Sequence, residues 1–204
     1  EYYDWIGAQI RIDMYGWVLP GHPEKAAALA RKDASLSHRG CAVECSAFLA
    51  ALAAYIPVCK TRISAIENSL ELIDKDSDAY QAVAIGISNS GKSSEEIIEK
   101  YKELSPVHSL NNLAIVVWSF LSFQDSFDEA VGEAVAAGWD TDCNGATVGG
   151  LVGLAEGEVP KKWTDPWKGK VNTTIAGLGE LNLKNLIQRT EALIKKFNTE
   201  LKDA

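Results

Sequence analysis

The sequence predicts an all-α protein that folds as a single multi-helix domain over residues 1–204. Apolar residues recur at spacings of three and four along most of the chain, as on one face of a helix, whereas the strict alternation typical of strands is scarce. A length of 204 residues suits one domain with a large core better than two domains. No repeat, low-complexity tract or interdomain linker divides the chain.

Several helices are predicted in the first half of the chain. Pro23 stands at a favourable first position for a helix rich in alanine, leucine and lysine. The run after Gly40, CAVECSAFLAALAAYI, is apolar or small all round, which predicts a buried central helix that Pro57 ends. The segments TRISAIENSLELI and DAYQAVAIGIS each carry apolar residues at helical spacing.

Further helices are predicted in the second half. Ser93 and Glu96 have the spacing of a capping box before EEIIEKYKEL. LNNLAIVVWSFLSF predicts a second buried helix, and SFDEAVGEAVAAG predicts an amphipathic helix that stops at Gly138. A last amphipathic helix is predicted over 181–201, and the weakly alternating GKVNTTIAG is predicted to be a loop. The tryptophans are expected to lie mostly in the core.

The overall charge narrows the possible partners. A formal net charge of −8 argues against non-specific binding to nucleic acid or to an anionic membrane, because both need a basic face. No apolar run approaches the roughly 18–20 residues of a membrane span. The four cysteines form no CxxC pair, so we expect buried, reduced thiols in a cytoplasmic protein.

The segment AGWDTDCNGATVGG, residues 137–150, is the main candidate site. Asp140 and Asp142 lie two residues apart, directly before a helix in which Gly145, Gly149 and Gly153 recur every fourth residue. An aspartate at this position can cap the backbone N–H groups of the helix. Two carboxylates at this spacing on a turn can instead face one cavity and bind a hard divalent cation. The glycines indicate close packing of another helix or of a ligand.

A longer stretch around these acids, GWDTDCNGATVGGLVGLAEGEVPKKW, resembles the C-terminal signature of the ADP-ribosylglycohydrolase family. That signature has a Gly-x-Asp-Thr-Asp core, a helix of small residues and a Val-Pro-x-x-Trp sequence. In the family's order, DWIGAQIRIDMYGWVLPG resembles its glycine-containing substrate loop, DASLSHRG its Ser-His element, and HSLNNLAIVVWSFL the helix before the acidic motif. The resemblance covers most of the chain and implies the all-α fold of that family.

The resemblance also implies a function. Family members use two Mg²⁺ ions, or Mn²⁺ in some cases, to hydrolyse the glycosidic bond between ADP-ribose and a protein side chain or small acceptor. It implies that Asp140 and Asp142 are catalytic metal ligands and that Cys143 occupies the position of a third ligand, usually Ser or Thr. The residues it places along ADP-ribose are Gly7, Ala8, Gln9 and His38. Trp139, beside the acids, is a further candidate that could stack on adenine or ribose.

Two departures from the family pattern affect these expectations. Sulfur is a poor ligand for a hard cation, so Cys143 either does not bind the metal or shifts the site toward Mn²⁺. Family members also carry an upstream Thr-Asp-Asp triplet, and Glu1 precedes Gly7 by only six residues. We therefore expect an N-terminally incomplete chain that associates with a missing N-terminal segment, binds metal weakly and turns over slowly or not at all.

Two alternatives remain open at this point. The Cys143 substitution also suits a non-catalytic ADP-ribose-binding or structural protein of the same fold. Independently of the family, the protein could be a helical interaction domain whose acids only cap a helix. Arg11 and Asp13, two residues apart, could form an ion pair or order the substrate loop.

Overall fold

Two buried helices, α3 (Cys41–Tyr55) and α7 (Ser109–Ser122), lie at the centre of the fold. The structure is a computed structural model that describes residues 2–202. Residues 45–54 of α3 and residues 109–121 of α7 are all buried. Both helices are apolar or small on every face, so neither can leave a side in water without exposing core residues. The prediction of two central helices is confirmed.

The other elements of the described range surround this pair. The remaining helices are α1 (Asp13–Val18), α2 (Pro23–Ala34), α4 (Arg62–Leu70), α5 (Asp78–Ser88), α6 (Glu95–Tyr101), α8 (Phe127–Ala136), α9 (Thr141–Glu156), α10 (Lys161–Thr164) and α11 (Leu183–Lys202). Short 3₁₀ turns cover Gln9–Arg11 and Asp165–Trp167. Strands β1 (Lys170–Asn172) and β2 (Glu180–Asn182) pair antiparallel, with Val171 opposite Leu181. The predicted all-α class is confirmed.

Small residues let the outer helices approach the central pair. Helix α1 packs on α3 at Gly16, where an added Cβ would lie 2.3 Å from the Cβ of Ala53. Helix α5 packs on α7 at Gly86, where an added Cβ would lie 2.8 Å from the carbonyl oxygen of Ala114. Both distances are shorter than any real carbon contact, so these crossings depend on the absence of a side chain.

The glycine stripe of α9 is explained by packing. An added Cβ at Gly145 would lie 3.0 Å from Cγ2 of Val135 on α8, and one at Gly153 would lie 3.0 Å from Cγ2 of Val159. At Gly149 the nearest neighbours are Phe127 and Val131 of α8, both at 3.6 Å. Close packing against protein is therefore sufficient to explain the glycine stripe, without a bound ligand.

A buried arginine joins the carboxyl ends of α7 and α9. Arg62 is 8% exposed, and it donates hydrogen bonds to the carbonyl oxygens of Phe120 (2.9 Å) and Gln124 (3.1 Å). Its Nη2 also pairs with Oε1 of Glu156 near the end of α9 at 2.5 Å. The guanidinium supplies donors to carbonyl groups that have no partner within the helix.

Three local expectations are wrong. Helix α6 begins at Glu95 with Ser94 at its N-cap and no side-chain capping bond, so the Ser93–Glu96 box does not form. Part of the expected loop over GKVNTTIAG is strand β1, which pairs with β2. The tryptophans do not lie mostly in the core: Trp118 is fully buried, whereas Trp5, Trp17, Trp163 and Trp167 are 36–57% exposed.

Other expectations are confirmed. Helix α8 ends at Ala136, and Gly138 follows with a φ of 90°, a conformation that glycine adopts without strain. The expectation for the cysteines is confirmed only in part: all four are free, but only Cys45 is buried, and Cys41, Cys59 and Cys143 are partly exposed. None of the helices within residues 2–202 is long and apolar enough to cross a membrane.

Candidate functional site

The two aspartates lie on a tight turn that opens α9. Trp139 has a φ of 59°, unusual for a residue with a side chain, and it follows the positive φ of Gly138. Asp140 is the central residue of an inverse γ-turn, with φ −86° and ψ 75°, in which the N–H of Thr141 donates to the carbonyl oxygen of Trp139 at 3.1 Å. Backbone strain of this kind persists where surrounding contacts hold it, and it often accompanies a functional site.

The carboxylate of Asp140 does not cap the helix that follows it. Asp140 occupies the N-cap position of α9 but makes no side-chain capping hydrogen bond. The backbone N–H of Cys143 is the weakest of the influences on the pKa of Asp140, so helix capping does not account for the position of this carboxylate.

Asp140, Asp142 and Cys143 form a compact cluster of candidate metal ligands. Their ligand atoms all lie within 4.8 Å of one another, and no second cluster of this kind occurs within residues 2–202. Burial raises the pKa of Asp140; the Cys143 thiol acts against this shift, and Asp142 adds to it. Burial, followed by Asp140, raises the pKa of the Cys143 thiol to about 12. A bound cation would favour the charged forms of these groups, which burial and the neighbouring acid disfavour.

Two members of the cluster face a cleft of about 520 Å³, a size typical of small-molecule sites. Asp140 and Cys143 lie on one side of it, whereas the exposed Asp142 does not line it. The other lining residues are Tyr2, Tyr3, Trp5, Ile6, Gly7, Ile10, Ser37, His38 and Val107. The sequence thus brings Gly7, His38, Asp140 and Cys143, four of the predicted site residues, to a single cleft.

His38 is held against Gly7 in one orientation. An added Cβ at Gly7 would lie 3.3 Å from Nε2 of His38, so glycine permits this contact. The hydroxyl oxygen of Ser37 accepts a hydrogen bond from Nη2 of Arg11 at 3.0 Å and lies 2.7 Å from Nδ1 of His38. Arginine can only donate, which leaves the Ser37 proton free for Nδ1. In the tautomer in which Ser37 donates to Nδ1, the neutral imidazole carries its own proton on Nε2, beside Gly7.

The charge state of His38 agrees with this arrangement. Burial lowers the pKa of His38, and the Arg11 guanidinium lowers it further, whereas Asp33 and Asp4 act in the opposite direction. His38 is therefore a neutral donor at physiological pH.

Arg11 pairs with Asp33, at 2.8 Å, and not with Asp13. The alternative ion pair between Arg11 and Asp13 therefore does not form. The carboxylate of Asp13 lies near Trp17 and Gly150 of α9, and burial raises its pKa to about 7. Among residues 2–202, no hydrogen bond or ion pair reaches it.

Three predicted substrate residues do not line the cleft. Ala8 and Gln9 are fully buried, because the turn after Gly7 directs them into the protein. Neither polar atom of the Gln9 amide has a hydrogen-bond partner within the described chain. Trp139 is half-buried and packs against the apolar core, so its indole is not available for stacking on a ligand in this cleft.

A second cavity, of about 660 Å³, is apolar and contains none of the acids. Trp17, Trp163 and Trp167 line it above the glycines of α9. Because His38, Asp140 and Cys143 line the first cleft and no titratable residue lines the second cavity, the first cleft is the better candidate of the two for chemistry.

Sequence reasoning missed two asparagines beneath the acidic turn. Asn112 of α7 and Asn144 of α9 are fully buried, and Nδ2 of Asn144 donates to Oδ1 of Asn112 at 2.8 Å. The available signal was the pair of asparagines that interrupts the apolar sequence of α7. Tyr2, Tyr3 and Trp5, which form the aromatic side of the cleft, were also missed.

Comparison with protein families agrees with the resemblance seen in the sequence. Residues 4–194 match the sequence profile of the ADP-ribosylglycohydrolase family. Comparisons with curated proteins and with solved structures returned no match.

Proposed function

The chain belongs to the ADP-ribosylglycohydrolase family, and we propose that it is a metal-dependent hydrolase that cleaves the glycosidic bond of ADP-ribose conjugates. The family suggests hydrolysis of such conjugates. The observation that supports the metal-dependent proposal is that Asp140, Cys143, Gly7 and His38 all line one cleft.

The donor set fits a hard divalent cation in part. Asp140 and Asp142 offer carboxylate oxygens, the ligands that Mg²⁺ and Mn²⁺ prefer. Cys143 offers a thiol, which fits such an ion poorly. Because residues 2–202 hold one cluster of this kind, we expect this chain to bind a single ion weakly.

The aromatic side of the cleft supports binding of a nucleotide-like ligand. The ring centroids of Tyr2 and Trp5 lie 4.3 Å apart, with the ring planes tilted by 49°, and both side chains are exposed, so each ring offers an apolar face on which adenine could stack. The Nε2–H group of His38 would donate a hydrogen bond to a phosphate or ribose oxygen. A neutral donor of this kind orients a ligand without adding charge.

The reaction would place the ribosyl C1 atom near the acidic turn. Breaking the bond between C1 and the acceptor creates an oxocarbenium-like transition state, which water attacks at C1. A bound divalent cation would orient the attacking water and the ribose hydroxyls, and it would stabilise the charge that develops in the reaction. The Asp140 carboxylate, which faces the cleft, would accept the proton that the attacking water loses and return it to solvent, while the acceptor leaves with a proton taken from solvent.

A non-catalytic ADP-ribose-binding protein is the second candidate, and Cys143 favours it. If the thiol prevents productive binding of the cation, the cleft could bind ADP-ribose without hydrolysing its conjugates.

Calorimetry and a turnover assay test the proposal. The 204-residue chain should bind ADP-ribose more tightly in the presence of Mg²⁺ or Mn²⁺, and Asp140→Asn and Asp142→Asn should remove this dependence. Asp165→Asn, at an exposed position outside the cleft, is the matched control and should bind as the wild type does. Failure of the wild type to bind either ligand would contradict both candidates.

Turnover then separates the two candidates. Slow, metal-dependent release of ADP-ribose from a modified peptide supports the hydrolase. Tight ADP-ribose binding without any release supports the binding protein.

A further inference from the structure

We infer that Asn112 is a positioning residue, which holds the acidic turn and the opposite side of the cleft in a fixed relation. Its side chain is fully buried and makes hydrogen bonds in two directions. Oδ1 accepts from the N–H of Asp140 at 3.2 Å and from Nδ2 of Asn144 at 2.8 Å. Nδ2 donates to the carbonyl oxygens of Pro106 at 2.9 Å and His108 at 2.8 Å.

The orientation of the Asn112 amide follows from its partners. The carbonyl oxygens of Pro106 and His108 can only accept, so the NH₂ group must point toward them. The backbone N–H of Asp140 can only donate, so Oδ1 must point toward the turn. Rotating the amide by 180° would set its oxygen against two carbonyl oxygens and its NH₂ against a donor. One arrangement therefore satisfies all of these groups.

The segment that Nδ2 holds belongs to the other side of the cleft. Val107 lines the cleft, and its carbonyl oxygen accepts the N–H of Ile6 at 2.8 Å. Ser109 makes two further hydrogen bonds to this segment. Its N–H donates to the carbonyl oxygen of Asp4, and its hydroxyl donates to the carbonyl oxygen of Trp5, both at 2.9 Å. Asn112 thus joins the acidic turn to the backbone that precedes Gly7.

The acidic turn needs a restraint of this kind. The positive φ of Trp139 is a strained conformation, and the Asp140 carboxylate makes no capping bond of its own. The Asn112 hydrogen bond to the Asp140 N–H fixes the backbone from which that carboxylate projects. Small displacements of a ligand weaken metal binding, which is why residues behind metal ligands matter.

The inference rests on the proposed function for its effect on cation binding. Its effect on the turn does not depend on that function.

Asn111 provides a matched control. It is the same residue type, is equally buried, and donates to the carbonyl oxygen of Ser105 at 3.1 Å, but it does not contact Asp140. Its Oδ1 also accepts a longer hydrogen bond from Nδ2 of Asn112 at 3.3 Å, and loss of this bond leaves Asn112 its two backbone carbonyl partners. Asn111→Ala and Asn112→Ala therefore remove the same atoms from the same helical turn. Destabilisation common to both variants is a packing effect, and the difference between them reports on the acidic turn.

Two measurements on the 204-residue chain test the inference. In Mn²⁺ titrations, Asn112→Ala should weaken Mn²⁺ binding about 10- to 100-fold, the range typical for residues that support metal ligands. Asn111→Ala should stay within about threefold of the wild type on the same reasoning. In metal-free hydrogen exchange, the Asp140 amide should exchange faster in Asn112→Ala than in Asn111→Ala.

Equal behaviour of the two variants in hydrogen exchange would overturn the inference. So would equal Mn²⁺ affinities of the two variants when the wild type binds Mn²⁺. If the wild type binds no Mn²⁺, the metal part of the proposed function fails, and the exchange rate of the Asp140 amide alone decides the role of Asn112.

Discussion

Replacing Asp13 by asparagine is expected to stabilise the protein at neutral and alkaline pH. Burial raises the pKa of this carboxyl from 3.8 to about 7, and no partner among residues 2–202 compensates its charge. Asparagine has nearly the same size and shape but cannot ionise. The substitution therefore removes the cost of burying a charge and leaves the packing near Trp17 and Gly150 unchanged.

The size of the effect follows from the pKa difference. A shift from 3.8 to about 7 sets an upper limit of about 4 kcal/mol, since one unit is worth about 1.4 kcal/mol, and solvent screening of this partly exposed side chain reduces the expected effect to about 1–3 kcal/mol. The folded pKa lies above the unfolded one, so between these values the unfolded chain loses its proton first. The free energy of unfolding of the wild type should therefore fall as the pH rises from about 4 to 7, and then stop changing through this group.

Urea denaturation at several pH values, followed by tryptophan fluorescence, measures this difference. Asp13→Asn should match the wild type near pH 4 and exceed its free energy of unfolding by about 1–3 kcal/mol near pH 8. Asp165→Asn, which removes one exposed carboxylate, controls for the change in net charge. A constant difference between Asp13→Asn and the wild type across this range would refute the reasoning.

Three further predictions concern the thiol, the helix contacts and the histidine. Cys143→Ser replaces sulfur by oxygen and should tighten Mg²⁺ binding by about tenfold, measured by calorimetry; unchanged affinity would mean that residue 143 does not bind the ion. Gly86→Ala should lower the free energy of unfolding by about 1–3 kcal/mol through overpacking. Gly132→Ala is the control and should not lower it, because an added Cβ there meets no atom within 4 Å. Equal stabilities of the two variants would contradict the close contact at Gly86. Arg11→Gln removes a nearby positive charge, so the pKa of His38, followed by NMR titration, should rise; a fall would contradict the assigned electrostatics.

Much of the helical structure could be predicted because it depends on local signals. The all-round apolar sequences of α3 and α7 predict burial without knowledge of the partner helices. The Ser93–Glu96 capping box was predicted because its residue types fit the motif. It does not form because helix α6 begins one residue later than the motif requires. Strand β1 was missed because each of the two strands is only three residues long, too short for an alternating pattern to stand out.

The candidate site also contains residues that could be predicted from the sequence and residues that could not. Asp140, Asp142 and Cys143 could be found because they are close together in the sequence and remain so in the fold. The role of Asn112 could not be predicted, since its hydrogen bond to Asp140 joins residues 28 positions apart. Gly7 lines the cleft, but the turn that follows it buries Ala8 and Gln9.

Helices α7 and α9 point in the same direction, which determines the electric field at the cleft. Asn112 and Asn144 join their amino ends, and Arg62 joins their carboxyl ends. Each helix carries about half a positive charge at its amino end, and two such ends meet beside Asp140. Aligned dipoles repel one another, and the Arg62 guanidinium offsets this at the negative ends. The amino ends in turn favour negative charge, on the aspartates or on the diphosphate of a nucleotide.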